Sequence, residues 1–374
     1  MIKKIKVMTI VGTRPEIIKL SEVMKELDNN TDHIIVHTGQ NYDYELNELF
    51  FEQLNVRTPD YFLEAVKGSV SETIGDIIAK ADKILADIKP DAVLIYGDTN
   101  SCLSVIPAKK RKIPIFHMEA GNRCFDQNVP EEINRKIIDG VSDINIVLTE
   151  NARNYLISEG FQQNRIFNVG SFVPEISLAY KNKINKSKIL GNLKISKNNF
   201  ILASIHREEN LDLNDNLNKI ILSLEKASQS FNKKIILSTH PRTQNKIKLN
   251  KLKFNKNLIT FHDPFSYFDY IKLAKNSFIT ISDSGTIVED CLAYEFKAIM
   301  LRETNERPEG FDNGNLFMVS PKSKELNDII KLSTESKVVN NIYQYSQNIM
   351  VSDKILKIVL SYKDYVNKYN WSKF

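Results

Sequence analysis

Carboxylates follow directly after apolar runs in the first half of the chain. Asp98 follows the run "DAVLIYG", and Glu119 follows the run "IPIFHM". A third acid, Glu131, comes a short loop later in "VPEEINR". Burial of an unpaired carboxylate is costly, so acids at strand ends indicate acid–base chemistry or a bound ligand.

Each of these motifs also has a purely structural interpretation. Asp98 could cap the helix that follows it, and Glu119 could pair with Arg123 in a salt bridge. The motif "PEEINR" could simply begin a helix, because proline followed by acids suits a first helical turn. The concentration of acids at neighbouring strand ends favours the functional interpretation.

A second set of polar residues follows apolar runs in the C-terminal half. His206 and Arg207 follow "FILASI", while "SDSGTIVED" places Ser284 and Gly285 at a turn that opens a helix. Such a turn can present backbone N–H groups to a phosphate. A single glycine fits an ordinary strand-to-helix turn equally well, so both interpretations stay open.

Arginines in both halves offer rigid guanidinium groups for a pyrophosphate. Arg14 follows the first apolar run, and Arg207 and Arg307 lie in the second half. Surface arginines are often only solvated, which is the competing interpretation. Weaker candidates also lie at strand ends: His240, Arg242 and His262.

The elements that would position these residues are strands of parallel sheets. Short Val- and Ile-rich runs alternate with helix-length segments, a pattern typical of a parallel sheet with helices on both faces. The first series of predicted strands is "IKVMTIVG", "HIIVHTG", "DAVLIYGD", "IPIFHMEAG", "INIVLT" and "IFNVG". The second series, after about residue 180, is "FILASIH", "KIILSTHP", "LITFHD", "FITISDSG", "KAIMLRE" and "FMVS". The polar, Lys- and Asn-rich segment 171–199 is the predicted connection between them.

Length and composition agree with this division. A chain of 374 residues suits two domains. Apolar content is 42%, and no run is long enough for a membrane helix. We read the start, "MIKKIKVMTIVGTRPE", as a first strand entering a turn and not as a signal peptide, and expect a cytoplasmic protein.

The net charge and the cysteine spacing further limit the functional classes to which the protein could belong. The net charge of +5 is spread over Lys-rich segments without interleaved aromatics, which argues against nucleic acid and suits a small anionic substrate. The cysteines, Cys102, Cys124 and Cys291, have no metal-ligand spacing and are expected to be reduced. Cys124 lies near the acids without an obvious paired base, which argues against a nucleophilic role.

Eight motifs follow one another from residue 7 to about residue 320: "GTRPEIIK", "YGDT", "HMEAGNR", "PEEINR", "HREEN", "HP", "SDSG" and "ERPEG". As a set they resemble one family, the non-hydrolysing UDP-N-acetylglucosamine 2-epimerases. The resemblance implies an α/β fold with two Rossmann-like domains facing across a cleft, as in GT-B glycosyltransferases. The expected domains are 1–170 and 171–354, with a C-terminal helix at about 355–374 returning to the first.

The same resemblance implies roles for individual residues. Asp98, Glu119 and Glu131 match the catalytic carboxylates. The residues that match substrate-binding positions are Arg14, Lys19, Arg135, His206, Ser284, Gly285, Asp290 and Arg307. The implied partner is a UDP-activated amino sugar destined for surface polysaccharide, with no metal or cofactor, in a homodimer without membrane or nucleic-acid contacts.

Some positions depart from the glucosamine branch of that family. Asn41 and Tyr42 replace a usual His-Arg pair, Thr286 replaces a second glycine, and Asp290 replaces a glutamate. The loop from Glu119 to Glu131 also lacks the usual Leu-Arg-Thr-Gly pattern. These features resemble the branch that forms UDP-N-acetyl-L-fucosamine from UDP-2-acetamido-2,6-dideoxy-L-talose. The alternatives are a UDP-GlcNAc 2-epimerase, a GT-B glycosyltransferase and a catalytically silent UDP-sugar sensor.

The family's reaction accounts for the clustered acids. Elimination removes UDP from C1 and a proton from C2, giving a 2-acetamidoglycal, and re-addition with protonation from the other face inverts C2. This path needs acid or base groups on both faces of the ring and cations at the pyrophosphate.

Overall fold

The computed structural model describes residues 4–39, 51–65, 68–207, 210, 216–239, 243–244, 247, 252, 254–312, 314, 316–321, 323–336 and 350–373. The chain divides into two compact units, Met1–Ile176 with Gln344–Phe374 and Ser177–Tyr343. Four residues singled out in the sequence lie outside the described residues: Asn41, Tyr42, His240 and Arg242.

The first unit is built on a parallel sheet. Its described strands are β1 (Lys6–Val11), β2 (Asp32–His37), β3 (Tyr61–Phe62), β4 (Ala92–Tyr96), β5 (Ile115–Met118), β6 (Ile144–Val147) and β7 (Ile166–Asn168). Their spatial order is β3-β2-β1-β4-β5-β6-β7, with every neighbouring pair parallel. Every residue of β4 is buried, as expected for a strand covered on both faces.

Helices connect these strands. The described helices of this unit are α1 (Arg14–Asn30), α2 (Val70–Ile88), α3 (Val105–Lys110), α4 (Pro130–Val141), α5 (Glu150–Ser158) and α13 (Val351–Trp371). A 3₁₀ turn, Asn100–Ser104, precedes α3. The C-terminal α13 belongs to the first unit and packs against α1. In the described part of the chain, no helix is both long and apolar enough to cross a membrane.

The second unit repeats the same plan. Its described strands are β8 (Phe200–Ile205), β9 (Lys234–Thr239), β10 (Ile259–His262), β11 (Ile279–Ser282), β12 (Ala298–Leu301) and β13 (Leu316–Val319), in the spatial order β10-β9-β8-β11-β12-β13. The described helices are α7 (Ile189–Asn192), α8 (Asn216–Phe231), α9 (Tyr267–Asn276), α10 (Ile287–Ala293), α11 (Glu309–Asp312) and α12 (Leu326–Glu335), preceded by α6 (Val173–Lys186), which spans the boundary.

The strand order creates a switch point in each sheet. In the first unit, the chain moves outward from β1 to β2 and β3, then returns to β4 on the other side of β1. In the second, it moves from β8 to β9 and β10 and returns to β11. Ligands of such sheets bind where the connections diverge, at the carboxyl ends of the two central strands.

All twelve predicted strands are confirmed, and the structure adds one that the sequence did not predict. The added strand, β3, has only two residues at a sheet edge, too few for a detectable periodic pattern. The predicted connection 171–199 is mostly helical, because Ile176, Tyr180 and Ile184 share one buried face at helical spacing. Because lysines occupy the exposed face, the overall composition of the segment is polar and does not reveal this buried apolar face.

Candidate active site

The loop after β1 lies close to the connection after β4. A Cβ atom added to Gly12 would stand 1.9 Å from Ser101 Oγ and 2.2 Å from Thr38 Oγ1. Those two hydroxyls are themselves hydrogen-bonded at 2.7 Å. Only glycine therefore allows this approach at the first switch point.

Glu16 joins the two loops at this switch point. Its Oε2 accepts the backbone N–H groups of Gly12 (2.5 Å) and Thr13 (3.1 Å), and its Oε1 accepts the Thr99 hydroxyl at 2.5 Å. Burial raises the pKa of Glu16 to about 7. The nearby negative charge of Asp98 also raises this pKa, whereas the three hydrogen bonds lower it. The carboxyl group ties the loop before α1 to the loop that carries Asp98.

Arg135 holds Asp98 from α4. Its Nε and Nη2 atoms lie 2.8 Å and 2.7 Å from Asp98 Oδ2, and its Nη1 lies 3.0 Å from Glu132 Oε2. Asn134 donates its amide to the Asp98 carbonyl at 2.9 Å. Two successive residues of α4 thus fix both the backbone and the carboxylate of Asp98.

Glu132 is the buried acid of the "PEEINR" motif. Its side chain accepts the backbone N–H groups of Cys124 and Phe125, each at 3.1 Å. Burial opposes its charged form, but the Cys124 N–H and the Arg135 guanidinium outweigh burial and lower the pKa of Glu132. Glu131, the acid that matches the family's catalytic position, is half-buried in the same first turn.

Glu119 follows β5 in a left-handed backbone conformation, with φ of 67°. For a residue other than glycine this costs about 1–3 kcal/mol, and such strain concentrates at functional sites. The Asn122 amide donates to Glu119 Oε1 at 3.2 Å, and a Cβ added to Gly97 would lie 3.8 Å from Glu119 Oε2. The Glu119 carboxylate therefore lies beside the loop that carries Asp98.

The structural alternatives for these acids can now be judged. The N-cap residue of the 3₁₀ turn after β4 is Thr99, so Asp98 does not cap it. The ion pairs of Arg123 are with Asp139 (2.8 Å) and Glu159 (2.6 Å), not with Glu119. The "PEEINR" motif does begin a helix, α4, with proline at its start.

The remaining first-unit candidates lie on α1, which starts at the switch point. Arg14 is its first residue and is half-buried, whereas Lys19 lies one and a half turns later and is 5% exposed. Burial of a lysine to this extent is rare without a partner. Lys19 belongs with the buried polar groups of this unit.

A buried carboxylate joins the loops at the second switch point. Asp283, directly after β11, accepts the backbone N–H groups of His206 and Arg207, each at 2.9 Å, and lies 3.0 Å from His206 Nδ1. Asn210 donates to it at 3.0 Å. Burial would raise its pKa, but His206 and these hydrogen bonds outweigh burial and lower the pKa of Asp283 to about 2.

The turn after Asp283 is tightly packed. A Cβ atom on Gly285 would lie 2.3 Å from Glu306 Oε1, so this position requires glycine. Glu306 is held by Arg302 at 2.7 Å and lies 3.5 Å from Arg207 Nη2. The hydroxyl of Ser284, in the same turn, lies 3.0 Å from Thr286 Oγ1.

The helix after this turn, α10, carries the remaining candidates. Glu289 is buried and pairs with Arg307, while Asp290 is 7% exposed. The Asp290 charge adds to burial in raising the pKa of Tyr270. The structure thus places His206 after β8, Ser284, Gly285 and Asp290 after β11, and Arg307 after the neighbouring strand β12.

Neither metal ligation nor thiolate chemistry is favoured by the described residues. They contain no group of three His, Cys, Asp or Glu side chains arranged to hold a metal ion. Burial raises the pKa of the Cys124 thiol, which disfavours the thiolate. The thiol donates a hydrogen bond to Glu132 Oε2 at 3.4 Å.

Sequence reasoning assigned no site role to three buried acids that organise the site. Glu132 shares a helical face with Arg135, three residues on, so the spacing of polar residues along α4 was an available signal. Glu16 stands at the third position of α1, where a capping-box acid is expected. Asp283 directly follows a buried strand, the same signal that identified Asp98.

Together, two doubly wound parallel sheets with polar switch points define the GT-B-like class of α/β proteins. A glycosyltransferase from Rickettsia africae shares this fold, at 16% identity and a TM-score of 0.55 over 98% of this chain and 99% of that one. The prediction of two Rossmann-like α/β domains of the GT-B-like class is confirmed.

Comparison with known proteins identifies the family within that class. The profile of the family described as UDP-N-acetylglucosamine 2-epimerase matches residues 25–359. A UDP-N-acetylglucosamine 2-epimerase structure from Rickettsia bellii is 49% identical, with a TM-score of 0.92 over 99% of this chain and 100% of that one. The Methanocaldococcus jannaschii UDP-GlcNAc 2-epimerase, solved with UDP-GlcNAc and UDP, is 34% identical, with a TM-score of 0.88 over 95% and 99%.

A further relative has a different sugar in its name. The UDP-2,3-diacetamido-2,3-dideoxy-D-glucuronate 2-epimerase of Pseudomonas aeruginosa is 35% identical over 80% of this chain and 84% of that protein. The chain belongs to the UDP-N-acetylglucosamine 2-epimerase family, a family of isomerases. The family expected from the sequence motifs is confirmed.

Proposed function

We propose that this protein inverts C2 of a UDP-activated 2-acetamido sugar by eliminating and re-adding UDP. The observation that carries the proposal is the convergence of Asp98 and Glu119 at the first switch point, with Arg135 paired to Asp98. Acid and base groups on both faces of a sugar ring are what C2 inversion requires.

The first step forms the glycal. A carboxylate takes the C2 proton, the C2–H electrons form the C1–C2 double bond, and the C1–O bond breaks with its electrons leaving on UDP. In the second step UDP re-adds at C1 while an acid delivers a proton to the opposite face of C2. We assign these proton transfers to Asp98, Glu119 and Glu131.

The leaving pyrophosphate needs cations and N–H donors. We assign this role to Arg14, His206 and Arg307. Lys19 and Arg135 are the other substrate-binding residues that we propose. Ser284 and Gly285 would bind phosphate through the turn before α10, and Asp290 would bind the ribose. Positive groups stabilise the negative charge that develops on UDP as the C1–O bond breaks.

For the sugar, we propose UDP-2-acetamido-2,6-dideoxy-L-talose, interconverted with UDP-N-acetyl-L-fucosamine. The C6 methyl group of this sugar suits an apolar contact. Phe125 is 66% exposed, packs edge-on against Tyr155, and donates its backbone N–H to Glu132. An exposed aromatic ring is therefore tied to the carboxylate network, with the buried Val129 four residues on.

The alternative sugar is UDP-GlcNAc, which appears in the names of several relatives. The Pseudomonas aeruginosa relative, at 35% identity, is named for another UDP-sugar, so identity at this level does not fix the substrate. An apolar contact discriminates by only about 1–3 kcal/mol, so activity on both sugars is compatible with the proposal.

We further propose that the protein is a cytoplasmic homodimer.

Kinetics with both sugars test the proposal. The purified protein is incubated with each UDP-sugar, the C2 epimer is identified by NMR, and kcat/KM values are compared. A higher value for the L-talo sugar supports the substrate assignment, whereas a higher value for UDP-GlcNAc assigns the protein to the ManNAc-forming branch. Sugar transfer to an acceptor without epimerisation would instead indicate a glycosyltransferase.

A further inference from the structure

His117, on β5, is a buried histidine whose two ring nitrogens both face acceptors. Its side chain is 1% exposed, its Nδ1 lies 2.8 Å from Asp139 Oδ1, and its Nε2 lies 2.8 Å from the Gly97 carbonyl oxygen. A backbone carbonyl can only accept a hydrogen bond. A neutral imidazole carries one N–H, so it could satisfy only one of these two contacts.

Asp139 is itself held as a carboxylate. Its oxygens accept the Arg123 guanidinium at 2.8 Å and the Gly121 backbone N–H at 3.2 Å, in addition to His117. Burial opposes its charge, but His117 and Arg123 outweigh burial and lower the pKa of Asp139. The Arg123 guanidinium and the Gly121 N–H both use Asp139 as an acceptor, so the Nδ1 atom of His117 must donate to it as well.

The surrounding charges accommodate a cation at this position. Arg123 also pairs with Glu159 at 2.6 Å, so a protonated His117 completes a set of two cations and two anions. Two of the site acids are close in sequence: Asp98 directly follows Gly97, and Glu119 is two residues after His117. Buried charges are tolerated when they are paired and hydrogen-bonded in this way.

Two other buried histidines of the same sheet differ. His33 has Asp28 at its Nδ1 (2.7 Å), but its Nε2 faces the Thr9 hydroxyl (2.8 Å), which can donate. His37 accepts the Gly39 N–H at its Nδ1, and burial lowers the pKa of His37 to about 4. A neutral ring satisfies both contacts of His33 and the one contact of His37, so these two rings do not require a second proton as the geometry of His117 does.

We propose that His117 is a buried imidazolium that positions Asp98 and Glu119 relative to each other, a role that rests on the proposed function. It donates to the carbonyl of Gly97, the residue directly before Asp98. Through Asp139 it is joined to the Gly121 N–H and to Arg123, which fix the turn after Glu119. One ring thus joins the backbones that carry two proposed catalytic acids.

Ring NMR of the full-length protein tests the charge directly. Histidine rings labelled with ¹⁵N are observed between pH 6 and 8, and His117→Gln assigns the signal. Both nitrogens of His117 are expected to show protonated shifts at pH 7, while His37 shows a neutral ring. A neutral tautomer at His117 would overturn the proposal, and this reading does not depend on any enzymatic activity.

Kinetics of the same variant test the positioning role. His117→Gln is expected to lower kcat roughly 30-fold or more, because small displacements of reacting groups are costly, while the Kd for UDP changes less than threefold. His33→Gln is the matched control, with kcat expected within threefold of wild type. A folded His117→Gln protein with kcat within threefold of wild type would overturn the role.

A second variant covers the case in which His117→Gln does not fold. Asp139→Asn replaces one acceptor by an amide that can donate, so the His117 ring is expected to lose one proton and kcat to fall. A ring that stays doubly protonated in this variant, or an unchanged kcat, contradicts the proposal. If the wild type epimerises no UDP-sugar, the proposed function fails, while the ring NMR still decides the charge of His117.

Discussion

Arg135 holds the Asp98 carboxylate with two of its guanidinium nitrogens, Nε at 2.8 Å and Nη2 at 2.7 Å from the same oxygen. Its third nitrogen, Nη1, reaches the buried Glu132 at 3.0 Å. An arginine presents its donors in a rigid fork, and this fork fixes one acid of the proposed site against another.

The first prediction concerns this fork. Arg135→Lys keeps the charge but offers one nitrogen where three are used, so Asp98 and Glu132 cannot both be held. We expect kcat to fall by about tenfold or more, measured by NMR of C2 epimer formation. Lys136→Met, at the exposed neighbouring position, is the control and should leave kcat unchanged. Equal activity of the two variants would show that the fork is not needed.

The second prediction concerns the three proposed catalytic acids. Asp98→Asn, Glu119→Gln and Glu131→Gln should each lower turnover by roughly a hundredfold or more, the usual scale for lost acid–base catalysis. Glu150→Gln, an exposed acid at the start of α5, should have no effect. Circular dichroism checks that each variant is folded. Near-normal turnover in all three variants would refute the assignment.

The position of Asp98 and Glu119 at strand ends could be predicted from the sequence, because each acid directly follows a recognisable apolar run. Asp98 and Glu119 each follow a Val- or Ile-rich run, and strands of a parallel sheet deliver such residues to one edge. The contact between Asp98 and Arg135 is different. It joins residues 37 positions apart, and only the packing of α4 against the loop after β4 brings them together.

Other features depend on tertiary structure that no local pattern contains. The left-handed backbone of Glu119 is stabilised by its surroundings, since glutamate has no intrinsic preference for it. The role of Asp283 depends on the N–H groups of the loop after β8, about 77 residues earlier. Helix α6, within segment 171–199, was not predicted from the sequence. The many lysines of this segment make its composition polar, although apolar residues line one face of the helix.

The third prediction concerns Gly285. In Gly285→Ala the new Cβ would lie 2.3 Å from Glu306 Oε1, and the ion pair with Arg302 keeps Glu306 from moving away. The turn must shift, and we expect the Kd for UDP, measured by calorimetry, to rise about tenfold or more. Gly191→Ala is the control, because its Cβ meets no atom within 4 Å. Unchanged UDP affinity in Gly285→Ala would exclude this turn from the nucleotide site.

The fourth prediction concerns the pH dependence of stability. Burial raises the pKa of Glu16 to about 7 from 4.5, so between these pH values the folded protein binds more protons than the unfolded chain. The contribution of Glu16 to the free energy of unfolding is complete below about pH 4.5 and is lost as the pH rises through 7. Glu16→Gln, neutral throughout, should lack this loss, which is on the order of 3 kcal/mol. Denaturant unfolding at pH 5 and pH 8 measures it.

For Glu16, the difference between the two proteins is the informative quantity. The free energy of unfolding of wild type minus that of Glu16→Gln should decrease from pH 5 to pH 8. A difference that stays constant or increases would contradict the buried, proton-binding state of this carboxyl group.

The central claim is that C2 inverts through loss and return of its proton. The most direct measurement is epimerisation in heavy water, with deuterium at C2 of both epimers followed by NMR. Elimination and re-addition predict that C2 becomes deuterated as the epimer forms, with UDP and the 2-acetamidoglycal released by slow variants such as Glu119→Gln. Formation of the epimer with its original C2 hydrogen fully retained, and no glycal, would contradict the account.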